Sequence, residues 1–295
     1  MSSSLVPVAH AARLRFPSMT IGGASFPWGA RTYVMAVINV TPDSFSGDGF
    51  GGDLAAAVDQ ALRFQDEGAD LIDVGGESTR PPSVYHGATP VTAEEEISRV
   101  MPVIEALAGK LNVPISIDTR KAVVARRAVA AGAALVNDVS TLGDPEMAPA
   151  VAALGVPIVI SHTRSKAEYR AVVTEVIEDL REATDRGVAE GIDPAGIIVD
   201  PGIGFGKTVQ HNLEMLRGVD RLQVLGFPIL IGTSRKSSIG TILDLPPNDR
   251  VEGTAATVAL AIQRGVSIVR VHDVKAMVRV ARMSDAVVRG WPRQA

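Results

Sequence analysis

The sequence of 295 residues contains no cysteine, so disulfide bonds, thiolate metal sites and thiol nucleophiles are excluded from its chemistry. It also lacks a dominant charge: 29 basic and 33 acidic residues leave a net charge of −4, and no basic block stands out along the chain. We therefore expect neither nucleic acid nor an anionic membrane as the main partner. Small anionic ligands stay open, because local basic residues decide whether they bind.

Long apolar runs are missing as well. No uninterrupted stretch approaches the roughly 20 apolar residues of a helix that spans a bilayer. The beginning of the chain lacks the basic segment and following apolar segment of a secretory signal. Together with the missing cysteines, these absences favour a soluble, cytoplasmic protein.

Polar residues follow one apolar segment after another, and this pattern is the most informative feature of the chain. For example, Val34-Met35-Ala36-Val37-Ile38 runs into Asn39. Such segments, each followed by a stretch with helical features, end at Asn39, Asp73, Asp118, Asn137, Ser161, Asp200, Ser234 and His272. Strands that alternate with helices pair in parallel through right-handed crossovers. The pattern predicts an α/β fold, a (β/α)8 TIM barrel, in which the carboxyl ends of the strands meet on the face where barrel enzymes hold their active sites. A doubly wound open sheet is the alternative, and the repetition of the unit favours the barrel.

One domain accounts for almost the whole chain. Residues 1–18 show no clear period and are expected to form a flexible N-terminal arm. Residues 19–290 are predicted to be a single barrel domain that begins with a short N-terminal hairpin over 19–31, which plugs the bottom of the barrel. Helix starts are predicted at Asp53 and at Thr92, which has Glu95 three residues on, and the longest helix is expected over 166–190.

The loops that follow the strands carry polar motifs in a fixed order. They read Asn39-Val40-Thr41-Pro42-Asp43-Ser44-Phe45-Ser46, Gly75-Gly76-Glu77-Ser78-Thr79-Arg80-Pro81, Ser116-Ile117-Asp118-Thr119, Asn137-Asp138, Asp200-Pro201-Gly202-Ile203-Gly204-Phe205-Gly206-Lys207, Ser234-Arg235-Lys236-Ser237 and Arg270-Val271-His272-Asp273. In this order, over about residues 34–285, they resemble the dihydropteroate synthase family. One such motif alone is weak evidence, whereas the whole series at strand ends is very specific.

This resemblance implies a pterin-binding (β/α)8 barrel that is usually a homodimer. The family condenses 6-hydroxymethyl-7,8-dihydropterin diphosphate with p-aminobenzoate, and gives 7,8-dihydropteroate and diphosphate in folate biosynthesis with Mg²⁺ as cofactor. Sulfonamides compete at the p-aminobenzoate site. Two alternatives stay open: a methyltetrahydrofolate:corrinoid methyltransferase, which needs no diphosphate site, and a catalytically silent paralogue that binds pterin or a partner.

The resemblance also assigns the residues that bind and activate the pterin. Its pterin-binding positions fall on Asp118, Asn137, Asp200, Lys236 and Arg270. Carboxylates and amides accept hydrogen bonds from the N–H groups of a pterin edge, and charge-assisted bonds are the stronger ones. Lys236 is expected to donate to the ring carbonyl or a ring nitrogen, and the planar guanidinium of Arg270 to lie over the pterin face. The expected catalytic residues are Asp118, Lys236, Asp43 and Arg80.

The diphosphate needs positive charge and hydrogen-bond donors. The residues expected to bind it are Asn39, Thr79, Arg80, Arg270 and His272. Asn39 is also the expected Mg²⁺ ligand, since its amide oxygen suits a hard cation that keeps waters and substrate phosphate oxygens as its other ligands. The p-aminobenzoate ring is expected between Phe205 and Pro81, with its carboxylate at Ser237 and the backbone N–H groups that open the next helix.

One stretch resembles an unrelated motif, and two others depart from the family pattern. Gly206-Lys207-Thr208 is not a P-loop, because position 201 is proline where that motif requires glycine. The first loop reads Ser46-Gly47-Asp48-Gly49-Phe50, so the second aspartate of the lid is displaced by one position. The fifth strand ends in Ser161-His162-Thr163 where the family usually has Met-His-Met, and we expect weaker apolar packing against the pterin there.

Overall fold

Parallel strands pair side by side in one curved sheet, in which neighbours in the chain are neighbours in space. The computed structural model describes residues 17–41, 53–77 and 91–291. An antiparallel hairpin, β1 (Ser18–Ile21) with β2 (Ala24–Pro27), comes first. The sheet strands are β3 (Tyr33–Asn39), β4 (Leu71–Gly75), β5 (Ile115–Asp118), β6 (Leu135–Asp138), β7 (Ile158–Ser161), β8 (Ile197–Asp200), β9 (Leu230–Ile231) and β10 (Ile268–Val271).

The order of the strands closes the sheet on itself. The last strand, β10, pairs with the first sheet strand, β3, on one side and with β9 on the other. Strands β8 and β9 are joined by a parallel bridge between Val199 and Ile229 and by the Val199 N–H, which donates to the Pro228 carbonyl at 3.0 Å. The prediction of a (β/α)8 barrel with an N-terminal hairpin is therefore confirmed, and a doubly wound open sheet is ruled out.

Helices follow the strands and cover the outside of the barrel. They are α1 (Leu54–Asp66), α2 (Ala93–Leu107), α3 (Ala122–Ala130), α4 (Met147–Leu154), α5 (Val172–Ala189), α6 (Val209–Arg217), α7 (Ser237–Leu243), α8 (Val251–Gln263) and α9 (Val274–Arg289). Both predicted helix starts are confirmed. The Asp53 carboxylate accepts from the Ala56 N–H at 3.0 Å, and the Thr92 hydroxyl accepts from the Glu95 N–H at 3.2 Å, so each satisfies a backbone donor that has no partner inside the helix.

The longest described helix, α5, begins later than the predicted residue 166. Its first residue is Val172, and no side chain at the preceding position caps it. Instead, Glu175 accepts from the backbone N–H groups of Arg170 at 2.7 Å and Ala171 at 2.8 Å. Arg164 donates to the other oxygen of Glu175 at 2.8 Å. These bonds hold residues 166–171 in a non-helical conformation before α5. The helical pattern of the sequence does not reveal this.

Side chains alternate between the two faces of each strand, and this separates two apolar cores. Outward-facing residues such as Val34 and Ala36 pack in the layer between strands and helices. Inward-facing residues such as Met35 form a second core with the hairpin residues Met19, Ile21, Phe26 and Trp28. The Phe26 and Tyr33 rings lie 4.8 Å apart, a tilted contact worth about 0.5–1.5 kcal/mol beyond burial. The hairpin plugs the amino-terminal end of the barrel as predicted, so the carboxyl end is left for polar groups.

Most of the predicted arm, residues 1–18, lies outside the described residues, and the domain boundaries at 19 and 290 stay predictions. Within the described ranges, none of the helices has the length and apolar character that crossing a bilayer requires.

Candidate active site

A layer of polar side chains lies above the apolar plug, inside the barrel. Leu71, Leu135, Ile198 and Ile268 belong to the plug core. Because successive side chains of a strand point to opposite faces, the residues two positions further along also point inward. Those residues are Asp73, Asn137, Asp200 and Arg270, and the strand register places Asp118 beside Asn137. The residues that the motifs predicted to bind pterin therefore come together at the carboxyl end of the barrel.

Arg270 joins two carboxylates of this layer. Its Nε donates to Asp73 Oδ2 at 2.6 Å, and its Nη2 donates to Asp118 Oδ2 at 2.6 Å. Asp73 is fully buried and Asp118 nearly so. Charges taken out of water are costly unless they are paired, so this arrangement fixes the guanidinium plane between β4 and β5.

Several acceptors in the same layer have no hydrogen-bond partner. Among the described residues, Asp73 Oδ1, Asp118 Oδ1 and Asn137 Oδ1 are buried and unpaired. A buried acceptor without a partner costs about 1–3 kcal/mol, and more when it is charged. The site therefore suits a ligand with several N–H donors along one edge.

Burial governs the protonation of the acidic groups here. It raises the pKa of Asp118 to about 7, and the charges of Asp73 and Glu96 act in the same direction, whereas the charges of Arg270 and Lys236 lower the pKa. Burial also raises the pKa of Asp200. Asp200 Oδ1 accepts from the Gly202 N–H at 2.7 Å, a bond that opposes this rise.

Lys236 lies between the polar layer and the loop that follows β8. Its Nζ is 4.3 Å from the centroid of the Phe205 ring, a cation–π distance. Its stem passes close to Gly204, where an added Cβ would lie 3.1 Å from Lys236 Cδ. Lys236 precedes Ser237, the first residue of α7. The predicted pterin-binding lysine and the predicted wall of the p-aminobenzoate site are thus in contact.

His272 lies at the rim beyond β10. The Ser234 hydroxyl oxygen is 3.0 Å from His272 Nδ1 and accepts from the His272 backbone N–H at 3.1 Å. Next to it, Arg235 forms a two-bonded ion pair with Asp273, at 3.0 and 2.6 Å. This pair ties the loop after β9 to the start of α9, so His272 and Lys236 are carried by connected segments.

Lys207 is a site residue to which the sequence motifs assigned no role. Its Nζ donates to His162 Nδ1 at 2.9 Å, to the Gly202 carbonyl at 3.1 Å and to the Phe205 carbonyl at 3.2 Å. His162 is fully buried and its Nε2 lies 2.8 Å from Asp179. Burial lowers the pKa of His162 to about 4, so the ring is neutral, donates from Nε2 and accepts at Nδ1. The three ammonium hydrogens of Lys207 then bind two carbonyls of the loop that carries Phe205 and the His162 ring beyond β7, which ties this loop to the end of β7.

Asp73 was also missed as a site residue, although its position was noted as a strand end. The signal that identifies it is its place two residues after the inward-facing Leu71. For Lys207 the only sequence signal was the end of the Gly-rich motif, and its spacing served only to exclude a P-loop.

Four predicted site residues fall on segments that the structure does not describe. Asp43, Thr79, Arg80 and Pro81 lie outside the described residues, as does the displaced lid residue Asp48, and their roles stay predictions. Asn39, the expected Mg²⁺ ligand, ends β3 and pairs with Gly75 on β4. In the described ranges, no three His, Cys, Asp or Glu side chains are grouped so as to hold a metal ion. An amide oxygen at Asn39 suits a Mg²⁺ ion that takes most of its ligands from water and phosphate.

Comparison with known proteins agrees with this geometry. A family model described as "Pterin binding enzyme" matches residues 35–272. The dihydropteroate synthase of Bacillus subtilis is 49% identical over 259 residues, which cover 88% of this chain and 89% of that protein. Two solved structures are also similar: the Xanthomonas albilineans dihydropteroate synthase with 4-aminobenzoic acid (43% identity, TM-score 0.85, 94% of this chain and 100% of that one) and the Yersinia pestis dihydropteroate synthase with a sulfonamide drug (37% identity, TM-score 0.87, 93% and 100%).

Proposed function

The chain belongs to the dihydropteroate synthase family of transferases, and we propose how its residues divide the work of the reaction. The reaction joins 6-hydroxymethyl-7,8-dihydropterin diphosphate to p-aminobenzoate and releases 7,8-dihydropteroate and diphosphate. The observation that carries the proposal is the set of buried, unpaired acceptors around Arg270, which is complementary to the donor-rich edge of a pterin. A site built to hydrogen-bond a ligand rejects analogues that lack the partner group.

Asp118, Asn137 and Asp200 are proposed to accept hydrogen bonds from the pterin N–H groups. Their burial supports this role, because acceptors shielded from water gain most when a ligand pairs with them. Arg270, held by two carboxylates, is proposed to face the ring, and Lys236 to donate to the ring carbonyl or a ring nitrogen.

The diphosphate is proposed to leave toward the rim, where His272 and Arg270 supply donors and Thr79 and Arg80 join from their loop. Mg²⁺, held through Asn39, would neutralise charge on the diphosphate when bound. The bond between the pterin methylene carbon and the bridging oxygen breaks, and its electron pair leaves with the diphosphate. The positive charge that develops on the pterin is stabilised by Asp118.

The amine of p-aminobenzoate then attacks the methylene carbon with its lone pair and loses one proton. Phe205 is proposed as one wall for its ring, with Pro81 as the other and Ser237 at its carboxylate. The bonds from Lys207 to the loop support a fixed position for Phe205. Sulfonamides are proposed to compete for this same space.

Incubation of the chain with both substrates and Mg²⁺ tests the function directly. We expect dihydropteroate and diphosphate in equal amounts by chromatography, and a strong loss of pterin diphosphate affinity in the presence of EDTA. Calorimetric binding of pterin diphosphate without product formation would instead identify a silent pterin-binding paralogue. Methyl transfer from methyltetrahydrofolate to a corrinoid would identify the methyltransferase.

The affinity for pterin diphosphate should depend on pH through Asp118. Its pKa is raised to about 7 by burial, so below this pH it is protonated and loses the charge that favours pterin N–H donors. We expect the affinity to fall by up to roughly tenfold per pH unit as the pH drops from 7 to 5, as measured by calorimetry.

The side of pH 7 on which affinity is lost distinguishes titration of Asp118 from titration of Lys207. Burial lowers the pKa of Lys207 to about 7. Deprotonation of Lys207 removes one of its three donors as the pH rises, and this weakens the hold on Phe205. A loss of pterin affinity on the alkaline side only would contradict the assignment to Asp118.

Cytoplasmic location and the homodimeric state stay predictions. The absence of cysteine supports a reducing compartment, and the resemblance to the family supports a dimer. Cell fractionation and light scattering after gel filtration measure the two properties.

A further inference from the structure

We propose that Asp73 is a positioning residue that sets the donor and acceptor pattern of the pterin pocket, by holding Asn137 in one amide orientation and Arg270 in one plane. This inference rests on the proposed function, because it assigns the pocket to a pterin. It adds a residue to which the family motifs gave no role.

Asp73 has a rigid position. It is fully buried on β4, with Val37 of β3 and Ser116 of β5 as its register partners. Hydrogen-bonded strands on both sides leave its backbone little freedom to adjust. Its carboxylate is therefore a fixed reference point for the side chains that bind to it.

The orientation of Asn137 follows from the chemistry of this contact. A carboxylate only accepts hydrogen bonds, so the group that Asn137 turns toward Asp73 Oδ2, 3.0 Å away, is its amide nitrogen. Its amide oxygen then faces elsewhere, and it is buried and unpaired among the described residues. Asp73 thereby makes Asn137 an acceptor for the ligand; with the opposite orientation Asn137 would be a donor.

The same carboxylate oxygen also fixes Arg270. Asp73 Oδ2 accepts from Arg270 Nε, while Asp118 Oδ2 accepts from Nη2, both at 2.6 Å. Two anchors on different nitrogens determine both the place and the plane of a guanidinium. Asp73 Oδ2 thus orients both Asn137, the proposed acceptor for the pterin edge, and Arg270, the cation proposed to face the pterin ring.

The pattern that results is an acceptor at Asn137 beside an acceptor at Asp118. Both unpaired oxygens favour neighbouring N–H donors on the ligand. A heterocycle with a ring acceptor opposite Asn137 or Asp118 would place two acceptors against each other in a buried site. We expect the pocket to reject such a ligand strongly.

Two substitutions separate positioning from charge. Asp73→Ala removes the acceptor, so Asn137 is free to turn and Arg270 loses one anchor, and we expect the affinity for pterin diphosphate to fall by about 100-fold. Asp73→Asn can place its amide oxygen where Oδ2 now accepts both bonds, and its NH₂ group then takes the place of Oδ1, which is not among the oxygens proposed to accept from the pterin. We therefore expect its affinity for pterin diphosphate to stay within about tenfold of that of the parent protein. If Asp73 served only to balance the charge of Arg270, the asparagine variant would be as impaired as the alanine variant.

The readout is calorimetric titration of each protein with pterin diphosphate and Mg²⁺, without p-aminobenzoate, beside thermal denaturation. The effect of Asp73→Ala should shrink by at least tenfold in an Asn137→Ala background, because Asp73 acts partly through Asn137. The KM for p-aminobenzoate of the Asp73→Asn variant should remain within about twofold. Equal affinities of the parent and Asp73→Ala, or fully additive effects, would overturn the inference. Lack of pterin diphosphate binding by the parent protein would instead overturn the proposed function.

Selective ¹⁵N labelling of asparagine provides a test that does not need the Asp73→Ala variant to fold. In the unliganded parent protein, the Asn137 side-chain NH₂ should be protected from hydrogen exchange by its bond to Asp73. Rapid exchange of that group, assigned by its loss in Asn137→Ala, would contradict the fixed orientation.

Discussion

Asparagine in place of Asp118 should lower kcat/KM for pterin diphosphate by about 10²–10³-fold, equivalent to roughly 3–4 kcal/mol. The side chain keeps its size, but it has only one oxygen. That oxygen will accept from Arg270, which in the parent protein donates to Asp118 Oδ2 at 2.6 Å. The new NH₂ group then occupies the place of the unpaired Oδ1, where it meets ligand N–H donors as a second donor. The negative charge that stabilises the developing cation is lost as well.

Steady-state kinetics and thermal denaturation measure this result together. The fold should be retained, since Asp73 still holds Arg270 and the replacement is isosteric. Asp59→Asn makes the same chemical change on the exposed side of α1 and should leave kcat/KM unchanged. Activity of Asp118→Asn within tenfold of the parent would remove Asp118 from the catalytic residues.

Alanine in place of Lys236 should reduce kcat by about 10²–10³-fold. The ammonium lies over Phe205 and its charge acts on both Asp118 and Asp200, so it connects the pterin acceptors with the p-aminobenzoate wall. Loss of this group removes a donor for the pterin and leaves the buried carboxylates without one of their cations.

Lys236→Met separates the charge from the packing of the stem against Gly204. Because methionine restores the apolar contact and not the donor, we expect it to be as inactive as alanine but closer to the parent in melting temperature. Lys110→Ala, at an exposed position just beyond α2, is the matched control and should keep full activity. Recovery of activity in the methionine variant would show that Lys236 acts through packing alone.

A helix start that depends on the next few residues can be predicted from the sequence, whereas one that depends on a bond across a loop cannot. Helix starts at Asp53 and Thr92 were predicted correctly because a cap involves only the next few residues. The start of α5 was not, because Glu175 and Arg164 bind across residues 166–171 and delay the first residue of the helix to Val172.

The polar strand ends by themselves predicted parallel strands alternating with helices, favoured a barrel over an open sheet, and indicated the side on which Asp118, Asn137, Asp200 and Arg270 meet. Two short-range rules suffice for that: side chains alternate along a strand, and parallel strands place their carboxyl ends together. The family motifs added the expected substrates. Neither rule assigns partners within the polar layer.

Only the tertiary structure decided those partners, including Asp73 with Arg270 and Lys207 with His162. Arg270 and Asp73 are 197 positions apart, and Lys207 and His162 are 45 positions apart. Whether such groups come within 3 Å depends on how strongly the sheet curves and where the bridge between Val199 and Ile229 closes it. That curvature arises from the packing of the whole set of strands and helices, so no local stretch of sequence contains it.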